Sequence, residues 1–240
     1  MSGELMLHCG GKPASRLDLA EVITPGQTDT YMPVPHLDLV EKVDGIAREL
    51  LHRDLVRESF GLNCNGQRMF GVLTYKNGED EDMGLSIGIR NSYDQSMSIG
   101  VAMGGRVFVC DNLAISGEIR IVRKHTAGVW QSIEDMTIST LFKHRPVWDQ
   151  LKEDVEKMKQ LQITQLHGHE LLGRLIGANV LTPRQIPVAY REWDHPGLPD
   201  FAGRNIWSLY NSVNQALKTS PVNQIMERHR KLHDTMMELQ

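Results

Sequence analysis

An α+β fold follows from three observations on this chain of 240 residues. β-patterned runs cluster between Leu55 and Cys110, the dipeptide Asn65-Gly66 separates two of them, and beyond Trp130 the apolar residues recur every three or four positions. Such runs mark strands, Asn-Gly marks a tight hairpin, and the three-to-four spacing marks helices with one buried face. The expectation is an antiparallel sheet of about five strands packed by helices, followed by a helical C-terminal half. Three stretches result: an extended Pro/Gly-rich arm over 1–35, an α+β sheet core over 36–127, and a helical region over 128–240 packing on the same core.

The arm carries Pro13, Pro25, Pro33 and Pro35 with Gly10, Gly11 and Gly26 and keeps no period, so at most short strands are expected in it. From His36 to His52, Leu37, Val40, Val43, Ala47, Leu50 and Leu51 describe an amphipathic helix whose other face is charged. Leu55–Leu62 and Met69–Tyr75 then flank the Asn65-Gly66 turn and read as a hairpin. Asn77 to Gly84 is a polar, acidic loop without calcium-ligand spacing. Strands are expected at Leu85–Ile89, Met97–Met103 and Arg106–Cys110, with turns at Ser92 to Gln95 and at Gly104-Gly105.

Behind Pro146 a stripe of Val147, Trp148, Leu151, Val155, Met158 and Leu161 predicts a helix, since proline suits a first turn. Another runs from Thr164 to Gly177, a glycine that favours termination. Thr182 to Asp200 holds four prolines and reads as a long surface loop. Two helices close the chain, at 204–218 and 221–238, the second beginning at Pro221 with Ser220 as its cap.

Composition narrows the class. A hydrophobic fraction of 40% supplies a core. No apolar run approaches the roughly 18 to 20 residues that span a bilayer, and the first residues lack the charged and apolar regions of a secretory signal, so a cytoplasmic protein without membrane contact is expected. Cys9, Cys64 and Cys110 are odd in number and far apart, which argues for reduced thiols over a disulfide framework or a zinc site. The net charge of −4 argues against wholesale attraction to nucleic acid. Its distribution is uneven: acidic side chains dominate before Gly84, whereas Arg90, Arg106, Arg120, Arg123 and Lys124 outnumber Asp94, Asp111 and Glu118 from there to His125. An anionic partner would meet that segment.

The same segment is the densest in polar groups. Asn91, Ser92, Asp94, Ser96, Asp111, Asn112 and Ser116 both donate and accept, and Arg90 with Arg106 suits bidentate contact with phosphate. The candidate nucleic-acid-binding set is Arg90, Asn91, Ser92, Asp94, Arg106, Asn112, Arg120, Arg123 and Lys124, with Tyr93 or Phe108 placed for stacking. Turn chemistry accounts for many of these positions equally well. Cys110 with His125 would make a thiol nucleophile and base, but a cysteine ending Val-Phe-Val-Cys fits packing better. His229 and His233 share a helix face without a third ligand, and His167 and His169 point apart; packing or partner contact suits both pairs. No catalytic or metal motif of known mechanism is present, so no cofactor is expected.

The strings R-N-S-Y-D-Q-S-M-S-I-G-V-A from Arg90, R-V-F-V-C-D-N-L-A from Arg106 and I-W-S-L-Y-N-S-V-N-Q-A-L from Ile206 resemble the hallmark stretches of the bacterial phage- and plasmid-like proteins grouped as domain of unknown function number 932. The resemblance covers roughly residues 50 to 218. Gln95 stands where that family's N-S-x-D-G-S motif has glycine, and Cys110 with Asn112 matches its cysteine and asparagine. It implies an accessory protein of a phage, prophage or plasmid, working in the bacterial host cytoplasm, and it implies no established activity. Joined to the basic segment, it favours nucleic-acid binding, with single-stranded DNA held for annealing or protection. An interaction protein that inhibits a host immune or restriction complex is the alternative. A nucleotide or phosphoester enzyme with Asp94, Asp111 and Asn112 around magnesium is less favoured. A homo-oligomer is expected, with the arm and the last helix as contact surfaces.

Overall fold

The computed structural model describes residues 11–76, 83–107, 113–114, 120–122, 128–221 and 223–238. Its centre is the hairpin whose sequence signal is clearest. β2 (Leu55–Asn63) and β3 (Arg68–Tyr75) pair antiparallel with Asn63 opposite Arg68. Cys64, Asn65 and Gly66 between them all adopt positive φ, and the Gln67 N–H returns to the Cys64 carbonyl at 3.1 Å. The connection is thus four residues long, with Asn65-Gly66 at its tip. β4 (Met83–Ser92) and β5 (Ile99–Val107) continue the antiparallel meander. β1 (Lys12–Ala14) closes the edge beside β2; β6 (Leu113–Ala114) and β7 (Arg120–Val122) pair with β5 at the other.

The helices are α1 (Arg16–Glu21), α2 (His36–Leu51), α3 (Val129–Leu141), α4 (His144–Gln160), α5 (Gln165–Gly177), α6 (Ile186–Asp194), α7 (Ile206–Leu217) and α8 (Ile225–Met237). This is the mixed α+β architecture expected, an antiparallel sheet with a helical C-terminal half. Period-2 alternation sorts the sheet residues. Met69, Leu73, Tyr75, Leu85, Ile87, Ile89, Ile99, Val101 and Met103 join one apolar cluster with residues of the α2, α3, α4 and α7 helices. Phe70, Val72 and Ala102 point the other way and meet Met97, Ile225 and Met226. Both sheet faces are therefore covered, which is why β4 is buried along its whole length.

Four expectations change. The arm is not wholly extended: Ser15 and Asp18 form a reciprocal capping box that starts α1, a helix too short to show a period. Gly104-Gly105 is not a turn but lies inside β5. A Cβ on Gly105 would stand 2.6 Å from Met83 Cε and 2.7 Å from Leu151 Cδ2, so the bare backbone there lets α4 press onto the sheet. The stretch 182–200 is not a loop throughout, because Pro187 falls in the first turn of α6, where its missing N–H costs nothing, and Ala189 and Trp193 bury that helix. The end of α5 at Gly177 is as expected, and the left-handed residue that follows is Asn179. Last, α8 begins at Ile225: Pro221 instead accepts from Gln224 and Ile225 in a turn, and the Ser220 hydroxyl accepts from Gln185.

Candidate functional site

The polar motif at the end of β4 works chiefly inside the molecule. Arg90 is buried, lies across Gly100, donates to the Ser98 carbonyl at 3.3 Å and forms an ion pair with Glu227 on α8. A side chain on Gly100 would meet Arg90 Nε at 2.9 Å, so this glycine opens the guanidinium's path. Asn91 is fully buried and donates through Nδ2 to the Val34 carbonyl at 2.7 Å and toward His36 Nδ1 at 3.0 Å. Ser92 exchanges two bonds with the Met97 backbone. Asp94 accepts from the Ser96 N–H and from Arg68 at 2.7 Å. Burial pushes its pKa up, but these bonds outweigh that and hold it below the usual carboxylate value.

Tyr93 completes a clasp on the arm. Its ring stacks on His36 at 4.0 Å between centroids, and its hydroxyl accepts from the His36 N–H at 2.8 Å and bonds Thr24 at 3.2 Å. Tyr93 is buried and is not a stacking platform. Burial lowers the His36 pKa to about 4, so the ring is neutral near neutral pH and its Nε2 bonds the Gly66 carbonyl.

For Arg106 and Arg120 the backbone alone is described, opposite Gly84 and Val101. Asn112, Arg123 and Lys124 lie outside the described residues, as do Cys9, Phe108, Cys110, Asp111, Ser116, His125 and most of the acidic loop. Cys64 is exposed at the hairpin tip. Among the described residues no group of histidine, cysteine and carboxylate side chains could hold a metal ion, and no helix is long and apolar enough to cross a membrane. His169 bonds Asp194 at 2.8 Å and stacks on Tyr190, while His167 is exposed.

A second basic surface forms at the junction of α3 and α4, away from the predicted segment in sequence. Phe142, at the α3 C-terminus, is 74% exposed, and Lys143 and Arg145 beside it are exposed as well. Arg53, after α2, donates to the Lys76 carbonyl at 3.4 Å, and Lys76 is itself exposed. Burial first, and then the charge of Arg145, lower the Arg53 pKa, which places the two guanidiniums within reach of each other's field. Among the described residues neither is paired with a carboxylate. Like charges in each other's field favour an anion. The sequence signal was the run Phe-Lys-His-Arg at 142–145, hidden between two helical patterns.

Next to it, α4 and α8 border a groove of about 600 Å3 lined by Lys143, Pro146, Val147, Gln150, Asp154, His233, Asp234 and Met237. On its floor His233 Nε2 meets Asp154 Oδ2 at 3.1 Å, and Gln150 donates to Asp154 Oδ1 at 2.8 Å. Burial lowers the His233 pKa against the opposing pull of Asp154. The neutral ring therefore donates from Nε2, and its Nδ1 keeps a lone pair with no partner among the described residues. The buried Tyr210 ring stands perpendicular to the imidazole, with centroids 6.2 Å apart. His229, one turn before, is buried too.

Comparison with models of known families, with curated proteins and with solved structures finds no match.

Proposed function

We propose that the protein binds exposed nucleic acid, as an accessory protein of a phage, prophage or plasmid, and that the strand runs over the α3–α4 junction. The observation that carries this is a surface of Arg53, Lys76 and Arg145, with neither arginine paired to a carboxylate among the described residues, beside a phenylalanine that is 74% exposed. Cations that follow a backbone and an aromatic face on which any base can stack are the two parts of a sequence-tolerant single-strand site. Lys143 extends the cationic surface. Arg90 contributes from inside, by fixing α8 to the sheet through Glu227. The mobile-element setting rests on the motif resemblance at Arg90, Arg106 and Ile206.

Fluorescence anisotropy with a labelled single-stranded oligonucleotide across a salt series tests the reading. Binding that weakens steeply with salt, and weakens further in Phe142→Ala, is expected. Alanine substitution at a stacking platform costs about 1–3 kcal/mol per base. A flat salt response, or full affinity in Phe142→Ala, overturns it.

A further inference from the structure

α5 packs onto the core through Leu171, Leu172 and Leu175, and through Gly168, whose missing side chain admits Trp193. The opposite face of this helix is turned to solvent, and the packing of a single chain does not account for what it carries. At about 3.6 residues per turn, Leu166, Glu170, Gly173 and Gly177 form one row there, with Arg174 on its flank. Leu166 is 67% exposed. Nothing lies within 4 Å of the place a Cβ on Gly173 or Gly177 would take, and neither glycine has a positive φ. Glycine is the weakest helix former after proline, so two of them on the outer face weaken α5 to no purpose unless another backbone must come close. Glu170 and Arg174 are exposed, and among the described residues neither side chain holds an ion pair.

We propose that this face is the contact between two copies of the chain, α5 lying antiparallel on α5 about a two-fold axis at Leu172. Self-complementarity names the occupant. In such a contact residue i meets j and j meets i, so the members of each pair lie equally far from the axis. The midpoint of Glu170 and Arg174 is Leu172, and that of Leu166 and Gly177 falls between Leu171 and Leu172. One axis therefore sets Glu170 beside Arg174 of the partner subunit and Leu166 over the bare backbone at Gly177 of the partner subunit. Gly173, next to the axis, lets the two helices approach. A foreign partner would not require charge and shape to balance about one point on α5. Ile176, 38% exposed, and Tyr190 of α6, 44% exposed and stacked on His169, border the row and widen the apolar area.

Sedimentation velocity of the full chain over a concentration series tests the proposal, and a monomer–dimer equilibrium is expected. Gly173→Leu places a branched side chain where the helices approach. It is expected to leave a monomer with unchanged far-ultraviolet circular dichroism, because the position is open in the single chain. Glu170→Arg sets like charges opposite each other and is expected to weaken association roughly tenfold, whereas Glu170→Arg/Arg174→Glu restores opposite charges across the axis and is expected to return it close to the wild-type value. Both charge variants sit at exposed positions and carry the test should Gly173→Leu fail to fold. A monomer at every concentration, wild-type association in folded Gly173→Leu, or exchanged charges that associate as weakly as Glu170→Arg overturns the proposal.

Discussion

The Tyr93 hydroxyl takes up the buried His36 N–H. Tyr93→Phe removes the oxygen while keeping the stacked ring, so the N–H is left unsatisfied at a cost of about 1–3 kcal/mol. A lowered urea midpoint with an unchanged slope checks this. His36 gives the same clasp a pH dependence. Its folded pKa of about 4 lies below its ordinary value of 6.5, so between these values the unfolded chain binds the extra proton. Stability is therefore full above pH 6.5 and falls as pH drops toward 4, by about 3 kcal/mol at most. His233, lowered in the same direction by burial, adds to the fall. Unfolding free energies at pH 7 and pH 5 are expected to differ less in His36→Gln than in the wild type; an equal difference would show that His36 is not the titrating group.

Among the elements, α5 and α6 are the pair that sequence reading divided most unevenly. The stripe of α5 was legible because Leu171, Leu172 and Leu175 repeat on one face, but α6 was lost behind its prolines. What joins them is Gly168, where a Cβ would stand 2.3 Å from Nε1 of the fully buried Trp193. Alanine in a helix ordinarily gains about 1 kcal/mol over glycine. Here the rigid indole, bonded through Nε1 to the Gln165 carbonyl, has no room to yield, and the sign reverses. Gly168→Ala is expected to destabilise by about 1–3 kcal/mol in chemical denaturation. The same limit explains the other misread elements: a period reports which residues face inward, not which backbone must come close. Gly104-Gly105 looked like punctuation because the helix that needs the bare strand lies some forty residues away in sequence. The β4 motif was found as a dense polar cluster, yet its partners, Val34, His36 and Glu227, are remote and could not be inferred from spacing. The α3–α4 surface was missed for the converse reason, since Arg53 and Arg145 come into each other's field only when the sheet core and the helical half pack together.

For the whole molecule, charge sets how any polyanion is met. A net charge of −4 repels a nucleic acid at long range, so affinity must come from a local surface working against the mean field. Such binding depends on few phosphate contacts. Arg53, Lys76, Lys143 and Arg145 together predict a log-log salt slope of about −2 to −3 on single-stranded DNA, at roughly −0.7 per neutralised phosphate. Arg53→Ser/Arg145→Ser is expected to make the slope shallower by about 1.4, the share of two contacts, without shifting the thermal midpoint downward, because neither guanidinium holds an ion pair among the described residues. Relief of the repulsion between them works in the stabilising direction. A slope that stays as steep in the double variant would assign the phosphate contacts elsewhere, to the segment between Gly84 and His125 where Arg106, Arg120, Arg123 and Lys124 lie. Neutralising those four residues in the same salt series is then expected to remove the slope instead.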